Sequence, residues 1–225
     1  MKKQLSKYFL SIAFSIICFC ANSQKNMISL ATDLGVLRSF KEGQQFWTFG
    51  HTIHGIYHIA RKDALYVWLS YYADGDFENN LTGIARSPST VPPQIAYTNK
   101  SELEFRQFSL GYRRFLKGDY EDQSSYNIYG YVGLGILFPK VTNSQSPVVD
   151  TSLYAIPVQD GEGAFKRLTL DLGLGFELPL GNTLFLYAEG RTWLPTTDYP
   201  SKYLYVNNEA PICGMINIGL RILFD

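Results

Sequence analysis

Cysteine is scarce in this 225-residue chain: Cys18 and Cys20 sit near the start, and Cys213 stands alone near the end. If a leader is removed, one thiol remains, which excludes an internal disulfide and a cysteine-based metal site. Charge is also thin, at 18% of residues, and no basic tract offers a footprint for nucleic acid. After the first twenty residues no stretch reaches the ~18 apolar residues of a transmembrane helix. A 3.6-residue apolar stripe is missing too, and glycines interrupt most apolar segments, which argues against helices altogether.

What the N-terminus does contain is a secretion pattern. Met1 to Lys7 carries three lysines and no acid, Tyr8 to Cys20 is almost wholly apolar, and Ala21-Asn22-Ser23 ends on small residues. This predicts a signal peptide over 1–23, cleaved before Gln24, and a single domain over 24–225. The apolar run is too short for a spanning anchor, which needs about 20 residues. Ile17 and Phe19 are too large to precede a lipoprotein cysteine. Losing Lys2, Lys3 and Lys7 leaves 17 basic residues against 20 acidic ones, a mildly acidic mature chain.

The strongest signal is a two-residue beat. Leu168, Leu170, Leu172, Leu174, Phe176 and Leu178 alternate with Thr169, Asp171, Gly173, Gly175 and Glu177. The beat returns where Ile216, Ile218, Leu220, Ile222 and Phe224 alternate with Asn217, Gly219 and Arg221. Successive side chains of a strand point to opposite faces, so each segment has one apolar face and one face of glycine and charge. Eight such segments are expected, near 27–37, 45–59, 64–73, 103–115, 127–138, 167–178, 183–194 and 214–224. Most reach the ~9–11 residues that a tilted strand needs to cross a bilayer. The connections 60–63, 116–126 and 179–182 are shorter than 74–102, 139–166 and 195–213, although 38–44 is short and 116–126 is long for its place.

This pattern resembles the small eight-stranded outer-membrane barrels of the outer-membrane protein X and outer-membrane protein A type, across 24–225. The resemblance implies an all-β, antiparallel, up-and-down transmembrane β-barrel with short periplasmic turns and long external loops. It also implies residence in a Gram-negative outer membrane, contact with membrane lipid and lipopolysaccharide, and handling by the barrel-insertion machinery. The chain departs from the usual aromatic finish, because Asp225 follows Phe224. Two rival readings use the same residues. A soluble periplasmic barrel would turn the apolar face inward around a ligand. A lipid-modifying enzyme would need a histidine beside a serine or acid at the rim.

With the apolar face toward lipid, the lumen receives Ser29, Asp33, Thr52, His54, His58, Gln107, Ser109, Arg113, Tyr129, Tyr131, Thr169, Asp171, Glu177, Tyr187, Glu189, Arg191, Asn217 and Arg221. Asp33, His54, Arg113, Asp171, Glu177, Glu189, Arg191 and Arg221 are expected to form a paired polar network that closes the interior, since an unpaired buried charge is costly. Arg113 and Arg191 suit bidentate contacts with carboxylates, and the glycines make room for arginines and tyrosines.

No catalytic residue, metal or cofactor is expected. His51 faces away from His54 and His58, and those two lie about 13 Å apart at ~3.3 Å per residue. Zinc needs ligands within ~2.1 Å. His51 is the enzyme candidate, with Ser70 or Ser109 as its conceivable partners. Gly133-Leu134-Gly135 and Gly173-Leu174-Gly175 lack the helix that a phosphate loop requires. Trp47, Trp193 and Tyr199 are expected to be interfacial anchors. The long loops hold Val91-Pro92-Pro93, Tyr97, Val148-Val149, Tyr154-Ala155-Ile156, Tyr199, Tyr203 and Tyr205, a composition suited to an extracellular protein or glycan ligand. The 139–166 segment is apolar enough to form a hairpin extending beyond the membrane.

Overall fold

The computed structural model describes residues 27–198 and 212–224, so the expected leader at 1–23 and the loop tyrosines from Tyr199 to Tyr205 lie outside the described residues. Ten strands follow in order: β1 (Met27–Ser39), β2 (Trp47–His58), β3 (Asp63–Ala85), β4 (Gln94–Lys117), β5 (Asn127–Ser146), β6 (Tyr154–Ala155), β7 (Gly161–Ala164), β8 (Arg167–Pro179), β9 (Leu184–Pro195) and β10 (Cys213–Phe224). The eight long strands pair antiparallel with their neighbours all the way round, and β1 closes on β10 with Asp33 opposite Gly219. Closure gives each wall strand a partner on both sides, which is what lets strands sit in hydrocarbon.

Burial alternates with the same period of two. Leu34 and Phe49 stand 75% and 76% exposed on the outside, whereas Asp33, Thr48 and Leu37 are buried on the inside. The apolar face of β8 and of β10 is likewise the outer one. Side-chain parity is therefore resolved in one direction: the aliphatic-rich face of each wall strand outward, and the face carrying the charged and polar residues inward.

Three strands run well past their expected ends. β3, β4 and β5 have 23, 24 and 20 residues, so much of what reads as loop at 74–102 and 139–166 is sheet. The cause is local. Register shifts between Tyr72 and Gly75, where Asp74 takes a positive φ of 61°. A bulge of this kind resets the alternation. Beyond it the outward positions are Asp76, Glu78, Asn80 and Thr82 instead of leucines. The apolar-outward signature stops there, while the hydrogen-bonded strand continues.

The hairpin expected in 139–166 forms between the far end of β5 and β7, with Lys140 opposite Ala164 and Asn143 opposite Gly161, while β6 in its connection pairs with the far end of β3. Tyr97, Val149 and Tyr154 make a small second core under the tip, with Leu81, Ile95 and Ile156 packed on it. Tyr154 also donates to the Pro92 carbonyl at 3.0 Å.

At the opposite end, the connection between β4 and β5 is long because it is a stopper. Tyr120 is buried and its ring stacks on His58 at 4.4 Å. Asp122 accepts from Ser124 Oγ at 2.6 Å and Ser124 N at 2.8 Å, which fixes the turn and holds the Asp122 carboxyl below its ordinary range.

Leu174→Arg places a charge on the outer wall in mid-strand. It is expected to destabilise the barrel by about 2–4 kcal/mol in bilayer vesicles. Denaturant unfolding of the vesicle-inserted protein measures this.

Candidate functional site

The lumen is filled in three layers. Nearest the long loops, Leu37, Phe46, Tyr72, Leu103, Phe105, Trp193 and Met215 form an apolar seal. Trp193 is expected from sequence at the membrane interface, and the structure corrects this: it is 2% exposed, edge-on to Tyr72 at 5.7 Å and to Phe105 at 6.2 Å. The reason is parity. Trp193 lies two residues after Arg191 on β9, so the beat that turns Arg191 inward turns Trp193 inward too. Trp47 does face out, with the Arg38 guanidinium 4.7 Å over its ring. The third expected anchor, Tyr199, lies outside the described residues.

The middle layer centres on Arg191. Its Nε donates to Tyr131 Oη at 3.1 Å, Nη1 to Thr52 Oγ1 at 3.3 Å, and Nη2 to Glu189 Oε1. Nη2 also lies 3.6 Å from Asp33 Oδ2. Asp33 in turn has His54 Nε2 at 2.7 Å and accepts from Tyr187 Oη at 2.9 Å and Asn217 Nδ2 at 3.1 Å. The guanidinium carbon sits 4.1 Å over the Trp68 ring. One buried cation thus gathers side chains from five strands.

Asp33, His54 and Glu189 bring three potential metal ligands within 4.8 Å of one another, a grouping that sequence spacing did not reveal because each residue sits on a different strand. Arg191 already holds the place a cation would take, at 3.4 Å from His54 Nε2. The cluster reads as a guanidinium site.

Beside it, Asp171 accepts from Gln107 Nε2 at 2.8 Å, Thr169 Oγ1 at 3.0 Å and Ser109 Oγ. Neutral donors satisfy this carboxylate, which is bonded to no arginine among the described residues.

The lowest layer holds a bidentate pair. Arg221 meets Glu177 with two bonds, Nε to Oε2 at 2.9 Å and Nη2 to Oε1 at 2.6 Å. Its remaining donors reach Ser29 Oγ at 2.8 Å and the Tyr120 carbonyl at 3.0 Å, so this side chain also ties down the stopper. Ser29 meets His58 Nε2 at 2.8 Å. Bidentate geometry plus filled remaining donors is what makes a buried ion pair tolerable.

Arg113 departs from the expected pairing. Its guanidinium lies 3.3 Å over the Tyr129 ring and 5.9 Å from Phe115, with no carboxylate bonded to it among the described residues. Tyr129 donates to Glu189 Oε2 at 3.1 Å, which enriches the ring under the cation. Room for the ring comes from Gly175, directly opposite Tyr129 in register, where a Cβ would overlap the phenol.

Arg221, Glu177, Asp171 and Asn217 are completely buried. A water-filled pore would leave such lumen atoms accessible. His51 is on the outer wall beside Tyr71, while Ser70 and Ser109, weighed as its partners, point into the lumen. The barrel wall separates them.

No protein-family model matches this chain, and no curated protein matches its sequence. Solved structures do resemble it. Neisserial surface protein A aligns with a TM-score of 0.57 at 10% identity, over 89% of this chain and 100% of its own. Ail, the attachment invasion locus protein of Yersinia pestis, aligns at 0.51 and 9% identity over 89% and 100%. A major outer membrane protein from Thermus thermophilus aligns at 0.50 and 12% identity over 88% and 99%. At such identities the likeness is one of fold: this chain has the fold of the small outer-membrane β-barrel proteins.

Arg221→Ala leaves Glu177 as an uncompensated buried charge and is expected to cost about 3–5 kcal/mol, while Arg221→Met with Glu177→Met recovers most of it. Denaturant unfolding of the detergent-solubilised barrel compares the two. In planar bilayers the native protein is expected to give no steady conductance, and sustained open-level current would show that the lumen is not sealed.

Proposed function

We propose that this chain is exported under a cleaved leader at 1–23 and inserts into a Gram-negative outer membrane as a closed barrel. There it serves an adhesive or structural role through its external sheet. The observation that carries this reading is the division of labour in the structure. Among the described residues the lumen is filled with buried side chains, the outer wall is apolar, and β3, β4 and β5 project a continuous sheet beyond the wall. The charged lumen residues act as a lock that holds the barrel closed.

Two features of the projection support binding. No strand among the described residues pairs with the outer edge of β3 over 75–83, between the end of its pairing with β2 and the start of β6. An open edge accepts an extended peptide by main-chain hydrogen bonding. The tip is also apolar: Val91 and Val148 are 86% and 77% exposed above the Tyr97 core. Ail, whose fold this chain shares, has been crystallised with the heparin analogue sucrose octasulfate, which makes sulfated glycans a first ligand class to test.

The membrane reading is tested by fractionation and by gel mobility before and after boiling. Outer-membrane retention with a heat-modifiable band is the expected result, and recovery as a soluble periplasmic protein overturns it. Adhesion is tested on whole cells over immobilised heparin and matrix proteins. The Val91→Asp, Val148→Asp double variant is expected to keep the heat-modifiable band while losing most adhesion. Unchanged adhesion removes the tip from the binding surface.

A further inference from the structure

The end of the projection is built unlike its base. Beyond the bulge β3 runs on from Gly75 to Ala85. At ~3.3 Å per residue and a tilt of ~40°, that length lifts its end roughly 28 Å above the wall. Acids crowd the base, where Asp74, Asp76, Glu78, Glu102 and Glu104 lie on β3 and β4. Lys100 offsets two of them, at 3.6 Å from Asp76 and 3.7 Å from Glu102. From Asn79 to Asn99, by contrast, there is no acid and one cation, Arg86. Ile84, Val91, Val148 and Leu153 stand exposed at this far end.

The backbone that carries these side chains is already engaged. Ala85 N donates to the Pro93 carbonyl at 2.9 Å, Arg86 N to that of Leu153 at 2.9 Å, and Tyr154 N to that of Asp150 at 3.0 Å. Arg86 Nε donates to the Thr151 carbonyl at 3.0 Å, which ties the β3–β4 connection to the segment after β5. Asp150, the one acid between 147 and 158, accepts from Ser152 N at 2.8 Å and Ser152 Oγ at 2.6 Å. Tyr97, Val149 and Tyr154 pack behind the tip as its core. Aliphatic side chains are thus held out on a fixed base whose polar groups have partners, so taking the tip out of water strips few hydrogen bonds.

We propose that this tip docks on the phospholipid leaflet of a second, apposed membrane, with Val91 and Val148 entering its headgroup–acyl boundary. The inference deepens the adhesive reading above and rests on it. Lipid fits the tip better than a protein groove does. Burial of aliphatic groups is non-directional, which suits a fluid that conforms around them. Protein hot spots are built on Trp, Tyr and Arg, with Leu and Val under-represented, and the two tyrosines of the tip lie buried in its core. Ser87, Ser89 and Thr90 precede Val91 and bring hydroxyls suited to headgroups. Each copy inserts only a few side chains, so a firm hold comes from many copies acting together.

The test holds the full-length barrel in nanodiscs and mixes them with protein-free phosphatidylcholine vesicles. Flotation reads how much barrel travels with the vesicles. The native barrel is expected to float well above empty nanodiscs. Val91→Asp with Val148→Asp should lower its vesicle-bound share by about tenfold or more, and Val91→Leu with Val148→Leu should keep it. A fluorophore attached at Val91→Cys is expected to be quenched by vesicles whose acyl chains carry bromine. Flotation no greater than that of empty nanodiscs overturns the proposal, and so does equal flotation of the double aspartate variant or an unquenched fluorophore. Whole-cell adhesion that falls in the aspartate variant while the native barrel ignores vesicles also overturns it, and assigns the tip to a protein partner. If the double aspartate variant loses its heat-modifiable band, Val91→Asn and the quenching decide. Absence of that band in the native protein defeats the membrane reading, and absence of whole-cell adhesion defeats the adhesive one. A heat-modifiable, adhesive barrel that leaves vesicles unbound defeats only the lipid assignment.

Discussion

Eight strands closed into a ring leave an interior just wide enough for the side chains that point into it. The rest of this structure depends on filling that volume while giving each buried charge a group that offsets it. Large inward residues are matched to absent ones: Tyr129 lies opposite Gly175 and Tyr131 opposite Gly173, and a Cβ at either glycine would overlap the phenol. Arginine is used as a many-armed connector. Arg191 and Arg221 each bind groups from several strands, so the cost of burying their charge is spread over a set of directed bonds. Arg113 solves the same problem with an aromatic face.

Sealing has consequences for where activity can lie. Among the described residues the lumen is packed at both ends, by the Trp193 seal and by the Tyr120 stopper, which leaves the outer wall and the projection as the surfaces turned toward other molecules. The bulge at Asp74 marks the boundary between those two surfaces. Before it, β3 shows Leu65, Val67 and Leu69 to the outside; after it, Asp76 and Glu78. One residue with positive φ separates a strand built for hydrocarbon from a strand built for water.

Much of the barrel was legible in the order of residues. The period of two in β8 and β10 identified strands, and the inward residues named from it are the buried ones. The strand ends were harder to place, because beyond Asp74 the exterior is aqueous and the apolar-outward signal has no reason to persist. Trp193 misleads when read by residue type, since tryptophan suits an interface, whereas its own parity on β9 points inward. The stopper at Tyr120 was visible only as a connection longer than its neighbours, since what it packs against, His58 and Arg221, lies 62 residues before it and 101 after it.

The sequence by itself determined that this chain forms strands, that each has one oily and one polar face, and that enough strands exist to close a barrel. These are local properties, set by alternation along a pleated backbone. Tertiary structure alone decided which face points outward, which charges meet, and which residues share a row. Register brings Asp33, His54 and Glu189 within reach of Arg191, and it sets Gly130 and Gly190 in line with Leu174 between them. Such alignments depend on how strands distant in sequence slide past one another, and a one-dimensional pattern repeats identically for every even-numbered shift.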